Sequence, residues 1–208
     1  MFVIIFFFRF DLIDISRQYL TNLAGNFYTD AINAYHQKDK IMFEINTVYF
    51  RSLLYSLDEL LGSNSNFLLG KWLKLARNVP NATPEDIEMY IFNAKNQITL
   101  WGPWKTKDNL IDYAAKQWNG LIKDYYLPRW ELFFNELELS LITKSPYNQT
   151  AFEELAIKKV AEKFVNNDHI YPDVPYGDPI HMALENYKLW RRFGTEIKSI
   201  EDIIIDLV

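Results

Sequence analysis

Apolar residues return at every third or fourth position along nearly the whole chain, the spacing that gathers them on one face of an α-helix. From Asp11 to Gln37 the positions are Leu12, Ile15, Tyr19, Leu23, Phe27, Ala31 and Ala34, with Asp11 placed to cap the first turn. Ile41, Ile45, Val48, Leu53, Leu57 and Leu60 mark a second helix from Lys40 to Leu61, closed by Gly62 and the polar run SNSN. A short third helix is expected over residues 67–78. NATPEDIEMY then carries a helix start, because Thr83 can cap, Pro84 fits the first turn, and Glu85 and Asp86 favour the positive end of the helix dipole. That fourth helix is expected to reach about Leu100 and to stop at Gly102-Pro103.

Helical spacing resumes from Thr106 to Tyr126 and continues past Pro128, whose missing N–H and bulky ring predict a kink or two abutting helices. Two more helices, at roughly 150–165 and 179–193, flank the loop NNDHIYPDVPYGDP. Strand-like alternation and internal repeats are missing from the pattern. The reading is an all-α bundle of about seven helices over residues 11–208, preceded by an apolar lead-in at residues 1–10.

The lead-in, MFVIIFFF, is far short of the roughly 20 residues that span a bilayer. It lacks the basic flank and cleavage site of a signal peptide, so it reads as a segment that packs against something, in a chain whose natural start lies earlier. Composition narrows the chemistry further. A net charge of −5 with both signs mixed along 208 residues gives no basic face for nucleic acid. The chain has no cysteine, which removes disulfides, thiolate zinc sites and cysteine nucleophiles together. His36, His169 and His181 lie far apart, without the spacing that sets metal ligands on one helix face, and neither a phosphate-binding glycine loop nor a G-x-S-x-G elbow occurs. No metal and no cofactor is implied. Glu131, Glu136, Glu138, Glu153 and Glu154 read as a solvated helix surface.

Residues 98–130 hold four of the six tryptophans. An indole face stacks on the apolar face of a sugar ring, which makes each a candidate. Trp118 and Trp130 fall at core-like helical spacing and read as packing residues. Trp101 differs: it stands at a helix end before Gly102-Pro103, where the side chain can leave the bundle, and is balanced between core and ligand contact. Trp104, in the loop that follows, reads as a lid or an exposed residue. Asp112, next to Tyr113 and near the same break, is the carboxylate best placed beside an aromatic surface.

Five blocks, FDLIDISRQYLTNL, NFLLGKWLKLAR, NAKNQITLWGP, LIDYAAKQWNGLIKDYYLPRW and YPDVPYGD, occur in an order and spacing that resembles the C-terminal helical domain of α-N-acetylglucosaminidases, the glycoside hydrolases of heparan sulfate breakdown. The resemblance runs from about Phe10 to about Phe193. It implies that the two catalytic glutamates of a retaining mechanism lie on a preceding (β/α)8 barrel. Such a barrel needs about 250 residues, so no catalytic residue is carried over and this chain alone is expected to be inactive.

The same resemblance implies that Trp101 faces a terminal N-acetylglucosamine, that Gly102 and Pro103 shape the turn presenting it, and that Asp112 and Tyr113 support that wall. The implied partners are the barrel, on which the apolar lead-in would rest, and a glycan ending in N-acetylglucosamine. The implied compartment is lysosomal or secreted, which the sequon Asn148-Gln149-Thr150 fits. One departure is Lys95, where the family commonly has arginine, since lysine cannot form a bidentate fork. A stand-alone helical interaction or carbohydrate-binding module is the alternative.

Overall fold

The computed structural model describes residues 2–103 and 110–194, with side chains from Phe8 onward. Seven helical rods make up the described residues: α1 (Phe2–Gln37), α2 (Lys40–Gly62), α3 (Leu69–Arg77), α4 (Pro84–Gln97), a π-turn (Ile122–Tyr126) running into α5 (Leu127–Thr143), α6 (Gln149–Ala156) joined through a second π-turn (Ile157–Ala161) to α7 (Glu162–Asn166), and α8 (Pro179–Trp190). No strand occurs among them; one isolated parallel bridge joins Leu68 to Asn119. The all-α expectation holds.

Where the local signals are strong, the boundaries follow them. Thr83 and Asp86 form a reciprocal capping box at the start of α4. Asp39 caps α2, Asn148 caps α6 and Asp178 caps α8, each through a side-chain oxygen. Asp11, by contrast, is interior to α1, which begins at Phe2 and runs straight through the lead-in. The apolar stripes also differ in part from expectation. On α1 the face turned inward is Ile13, Leu20, Leu23, Phe27, Ala31 and Ala34, while Ile15 is exposed. On α2 it is Phe43, Phe50, Leu53, Leu57 and Leu60, while Ile41, Ile45 and Val48 face outward. Apolar spacing fits either side of a helix that is apolar on both, and the neighbours α1, α5 and α8 decide which side is buried.

Two cores result. One is built from α1, α2, α5 and α8, with Phe43, Phe50, Phe134 and Trp190 inside and Trp130 packed edge to face on Phe50 at 5.0 Å. The other joins α3, the end of α4, the first π-turn and α7, through Leu69, Leu73, Ile98, Leu121, Tyr125 and Phe164. Tyr126 packs against both. In the second core Lys95 is fully buried, and its Nζ donates to the carbonyl of Asn167 at 2.5 Å and to its Oδ1 at 2.8 Å. Burial draws that ammonium down to about 8. Lysine thus anchors the segment after α7 through one residue, without a fork.

Residues 110–118 are where the helical expectation fails. They form turns, and helix begins only at Leu121. Asp112 and Ala115 have left-handed backbone, with φ of 58° and 45°. Asn119-Gly120 is a breaker pair, and Gly120 has φ 86° with the Tyr171 ring 2.5 Å from where a Cβ would stand. Trp118 therefore packs from a loop, against Trp72 at 6.0 Å, rather than from a helix. Pro128 neither breaks nor splits the rod. Its ring would collide with the carbonyl four residues back, and the turn immediately before it is widened instead, with the Leu127 N–H donating to the Ile122 carbonyl.

The helix start at Leu121 is held from outside. Asp58 of α2 accepts the N–H of Gly120 at 2.8 Å and of Lys123 at 3.1 Å on one carboxylate oxygen, and the side-chain amide of Asn119 at 2.9 Å on the other. Burial pushes this carboxyl up from 3.8 to about 6, against the opposing pull of the two N–H donors. The folded state therefore takes up this proton more readily than the unfolded chain, and the associated stability is complete below about pH 4 and lost as pH rises through about 6. Native protein is expected to gain about 2 kcal/mol relative to Asp58→Asn between pH 7 and pH 4.5 in chemical denaturation. An unchanged or reversed difference would remove Asp58 as the source.

Candidate functional site

Four sequence-predicted residues, Trp101, Gly102, Asp112 and Tyr113, converge beyond the end of α4. The segment leaving α4 folds back on Asn96, whose carbonyl accepts the N–H of Thr99 at 3.1 Å and of Trp101 at 2.8 Å. The returning segment is fastened to it by the Asp112 N–H, which donates to the Thr99 carbonyl at 2.7 Å. Trp101 itself has left-handed backbone, φ 44°.

The two aromatic side chains meet outside the core. Trp101 and Tyr113 pack edge to face at 5.5 Å with an interplanar angle of 89°. Trp101 is 40% exposed and Tyr113 70%. Leu110 and Ile111, on the same segment as Tyr113, are exposed as well. Trp104 lies outside the described residues.

Asp112 points the other way. Its Oδ2 lies 2.5 Å from the Arg129 guanidinium on α5. That guanidinium also donates to the Tyr125 hydroxyl at 3.2 Å and lies over the rings of Tyr125 and Tyr126, at 5.1 and 5.5 Å. Burial raises the Tyr125 hydroxyl well above its ordinary range, with Asp112 adding to the rise, so the phenol stays a neutral hydrogen-bonding group. Asp112 thus ties the loop to α5 through Oδ2, while its Oδ1 is buried without a hydrogen-bond partner. A cavity of about 370 Å³ lies beneath this loop, lined by Tyr28, Asp112, Ala115, Gln117, Tyr126 and Trp130 among others. Trp101 and Tyr113 do not line it.

Sequence reasoning missed Asn96 and Arg129. Both sit inside blocks that carry the family resemblance, NAKNQITLWGP and the LPRW end of the next, but nothing in their spacing says that one shapes a turn and the other reaches Asp112. Nothing among the described residues groups three histidine or acidic side chains as metal ligands. His169 lies 3.0 Å from Asp124, at the first π-turn.

Comparison with known proteins bears on the whole chain. Residues 6–188 match the family model of the α-N-acetylglucosaminidase C-terminal domain. The human protein named alpha-N-acetylglucosaminidase is 37% identical over 188 residues, which is 88% of this chain and 25% of the human one. Among solved structures, a family 89 glycoside hydrolase from Clostridium perfringens, in complex with 2-acetamido-1,2-dideoxynojirmycin, superposes with a TM-score of 0.79 at 26% identity, over 92% of this chain and 22% of its own. A second structure from that organism, a variant with two glutamate-to-glutamine substitutions bound to its substrate GlcNAc-α-1,4-galactose, gives a TM-score of 0.78 at 26% identity, over 94% and 22%. The chain spans about a quarter of the length of these relatives.

The Asp112–Arg129 pair is testable on the chain itself. A double-mutant cycle of Asp112→Asn and Arg129→Lys in chemical denaturation is expected to give a coupling of about 1 kcal/mol, because the pair is mostly shielded from solvent and Arg129 is fixed by two tyrosine rings. Strict additivity would mean that the pair does not hold the loop.

Proposed function

The chain belongs to the family of α-N-acetylglucosaminidase C-terminal domains, and on that premise we propose that it supplies the helical wall of a pocket for terminal N-acetyl-α-glucosamine. In this reading the two catalytic glutamates belong to a (β/α)8 barrel outside the chain, and the barrel is its partner. The substrate is a glycan ending in N-acetylglucosamine, of the heparan sulfate class by family, in a lysosomal or secreted setting.

One observation carries the reading: Trp101 is presented outward, 40% exposed and braced edge to face by Tyr113. An indole placed in this way offers its face to the C–H face of a pyranose, and a second domain closing over it would exclude water and strengthen each polar contact made there. Gly102 shapes the turn behind the indole. Asp112, paired through Oδ2 with Arg129, supports the wall from the rear in this reading.

The assignment fits the clostridial relative, whose complexes hold an N-acetylglucosamine-like inhibitor and a GlcNAc-terminated disaccharide. It also fits a domain that accounts for only a quarter of its relatives. The exposed apolar residues beside the tryptophan, Leu110 and Ile111, suit a surface that another domain covers.

With an aryl N-acetyl-α-glucosaminide as substrate, the chain alone is expected to show no turnover. In the enzyme assembled with its catalytic domain, Trp101→Ala is expected to lower kcat/KM by about tenfold or more, the loss of one stacking contact. Turnover by the isolated chain would refute the division of labour. Unchanged kinetics in the variant would remove Trp101 from the site.

A further inference from the structure

We infer that Asn96 is a positioning residue of the substrate site, the group that sets the angle at which Trp101 meets the sugar; this rests on the proposed role of Trp101. Three kinds of contact from this one residue converge on the turn. Its carbonyl accepts the Trp101 N–H at 2.8 Å. Its side-chain Oδ1 accepts the Gly102 N–H at 3.0 Å, and its Nδ2 donates to the Gly102 carbonyl at 3.1 Å. The peptide groups on both sides of the Trp101 Cα are thereby fixed to the last turn of α4.

The backbone of Trp101 makes this clamp necessary. A non-glycine residue at φ 44° lies in the left-handed region, a conformation that costs of order 1 kcal/mol for a bulky L-residue and persists only where its surroundings enforce it. Released from the clamp, the chain would relax to negative φ and swing the indole away from Tyr113. The amide side chain is specific for the task. Only a group with one acceptor and one donor on the same planar end can grip both the N–H and the C=O of one residue, and asparagine has the length to do so across a tight turn. Aspartate would set a carboxylate oxygen against the Gly102 carbonyl. Asn96 is half-buried and touches no substrate in this reading; it acts through Trp101 alone.

The test is a kinetic double-mutant cycle in the enzyme assembled with its catalytic domain, using an aryl N-acetyl-α-glucosaminide. Asn96→Ala and the isosteric Asn96→Asp are each expected to lower kcat/KM by about tenfold, and the effect should vanish in a Trp101→Ala background, because the clamp has nothing left to orient. Circular dichroism and the thermal midpoint check folding, and the near-isosteric Asn96→Asp keeps the test open if Asn96→Ala does not fold.

If Trp101→Ala lowers kcat/KM while both folded Asn96 variants match the parent, the positioning role is wrong and the tryptophan site stands. If the Asn96 losses persist undiminished in the Trp101→Ala background, Asn96 acts by another route and the inference is overturned. If Trp101→Ala itself leaves the kinetics unchanged, the site reading fails first and the inference falls with it.

Discussion

The first backbone N–H groups of a helix have no intrahelical carbonyl behind them, and in the buried start of the rod at Leu121 those of Leu121 and Ile122 turn to the Trp118 carbonyl while the neighbouring ones need a partner from elsewhere. Asp58, reaching across from α2, accepts the N–H of Gly120, just before the rod, and of Lys123 in its first turn, while Asn119 closes the network by donating to the same carboxylate and to the Asp58 carbonyl. The Asn119 backbone also bridges to Phe67 and Leu69, so a single buried node joins α2, the start of α3 and the start of the π-turn. Tyr176 adds the late loop, its N–H donating to the Gly62 carbonyl and its hydroxyl accepting from the Asn119 amide. This node fixes where the rod begins. Everything displayed by the segment before it depends on that register.

Because the rod begins at Leu121 and no earlier, residues 110–118 are left as a loop that is stapled rather than helical. Its staples are the Asp112 N–H on Thr99 and the Asp112 carboxylate on Arg129. Arg129 is presented by α5 one turn beyond Tyr125, and the two tyrosine rings hold its guanidinium flat. The left-handed conformations at Trp101, Asp112 and Ala115 are local costs that these tertiary contacts offset. Three of the six left-handed non-glycine residues among those described lie in these two segments; the others stand at Lys38, Asn81 and Lys144.

A bundle of this size with an aromatic pair on an open face, an adjoining exposed Leu110-Ile111 step, and an outward stripe of Ile41, Ile45 and Val48 on α2 displays more apolar surface than its own packing uses. The chain spans about a quarter of the length of its relatives, and such surface is consistent with the proposed partner domain. The aromatic pair points outward, while Asp112 turns inward and ties the same loop to α5.

Much of this was legible in the chain itself. Thr83 acts on its own helix, within three residues, so the capping signal at that boundary translates directly into structure. The all-α class and the motif that brings Trp101, Gly102, Asp112 and Tyr113 together were equally plain. Other features depended on partners distant in sequence. Helical spacing across residues 110–118 was outweighed by the Asp58–Asn119 node and the Arg129 staple, which set the rod's start later than periodicity suggests. The stripe on α2 that spacing marked proved to face outward in its first half, since two faces of that helix are apolar and only neighbouring helices choose between them. Asn96 and Arg129 sat in view inside recognisable blocks, and their roles appeared only when the fold brought each to its partner. Sequence determined what acts over one or two helical turns, because those forces are local. The tertiary structure decided which face is buried, because neighbouring helices choose between two apolar sides, and where the long rod begins, because a buried carboxylate from a distant part of the chain holds its start. The turn at Trp101 is tied locally by Asn96, but only folding sets its Tyr113 neighbour against it.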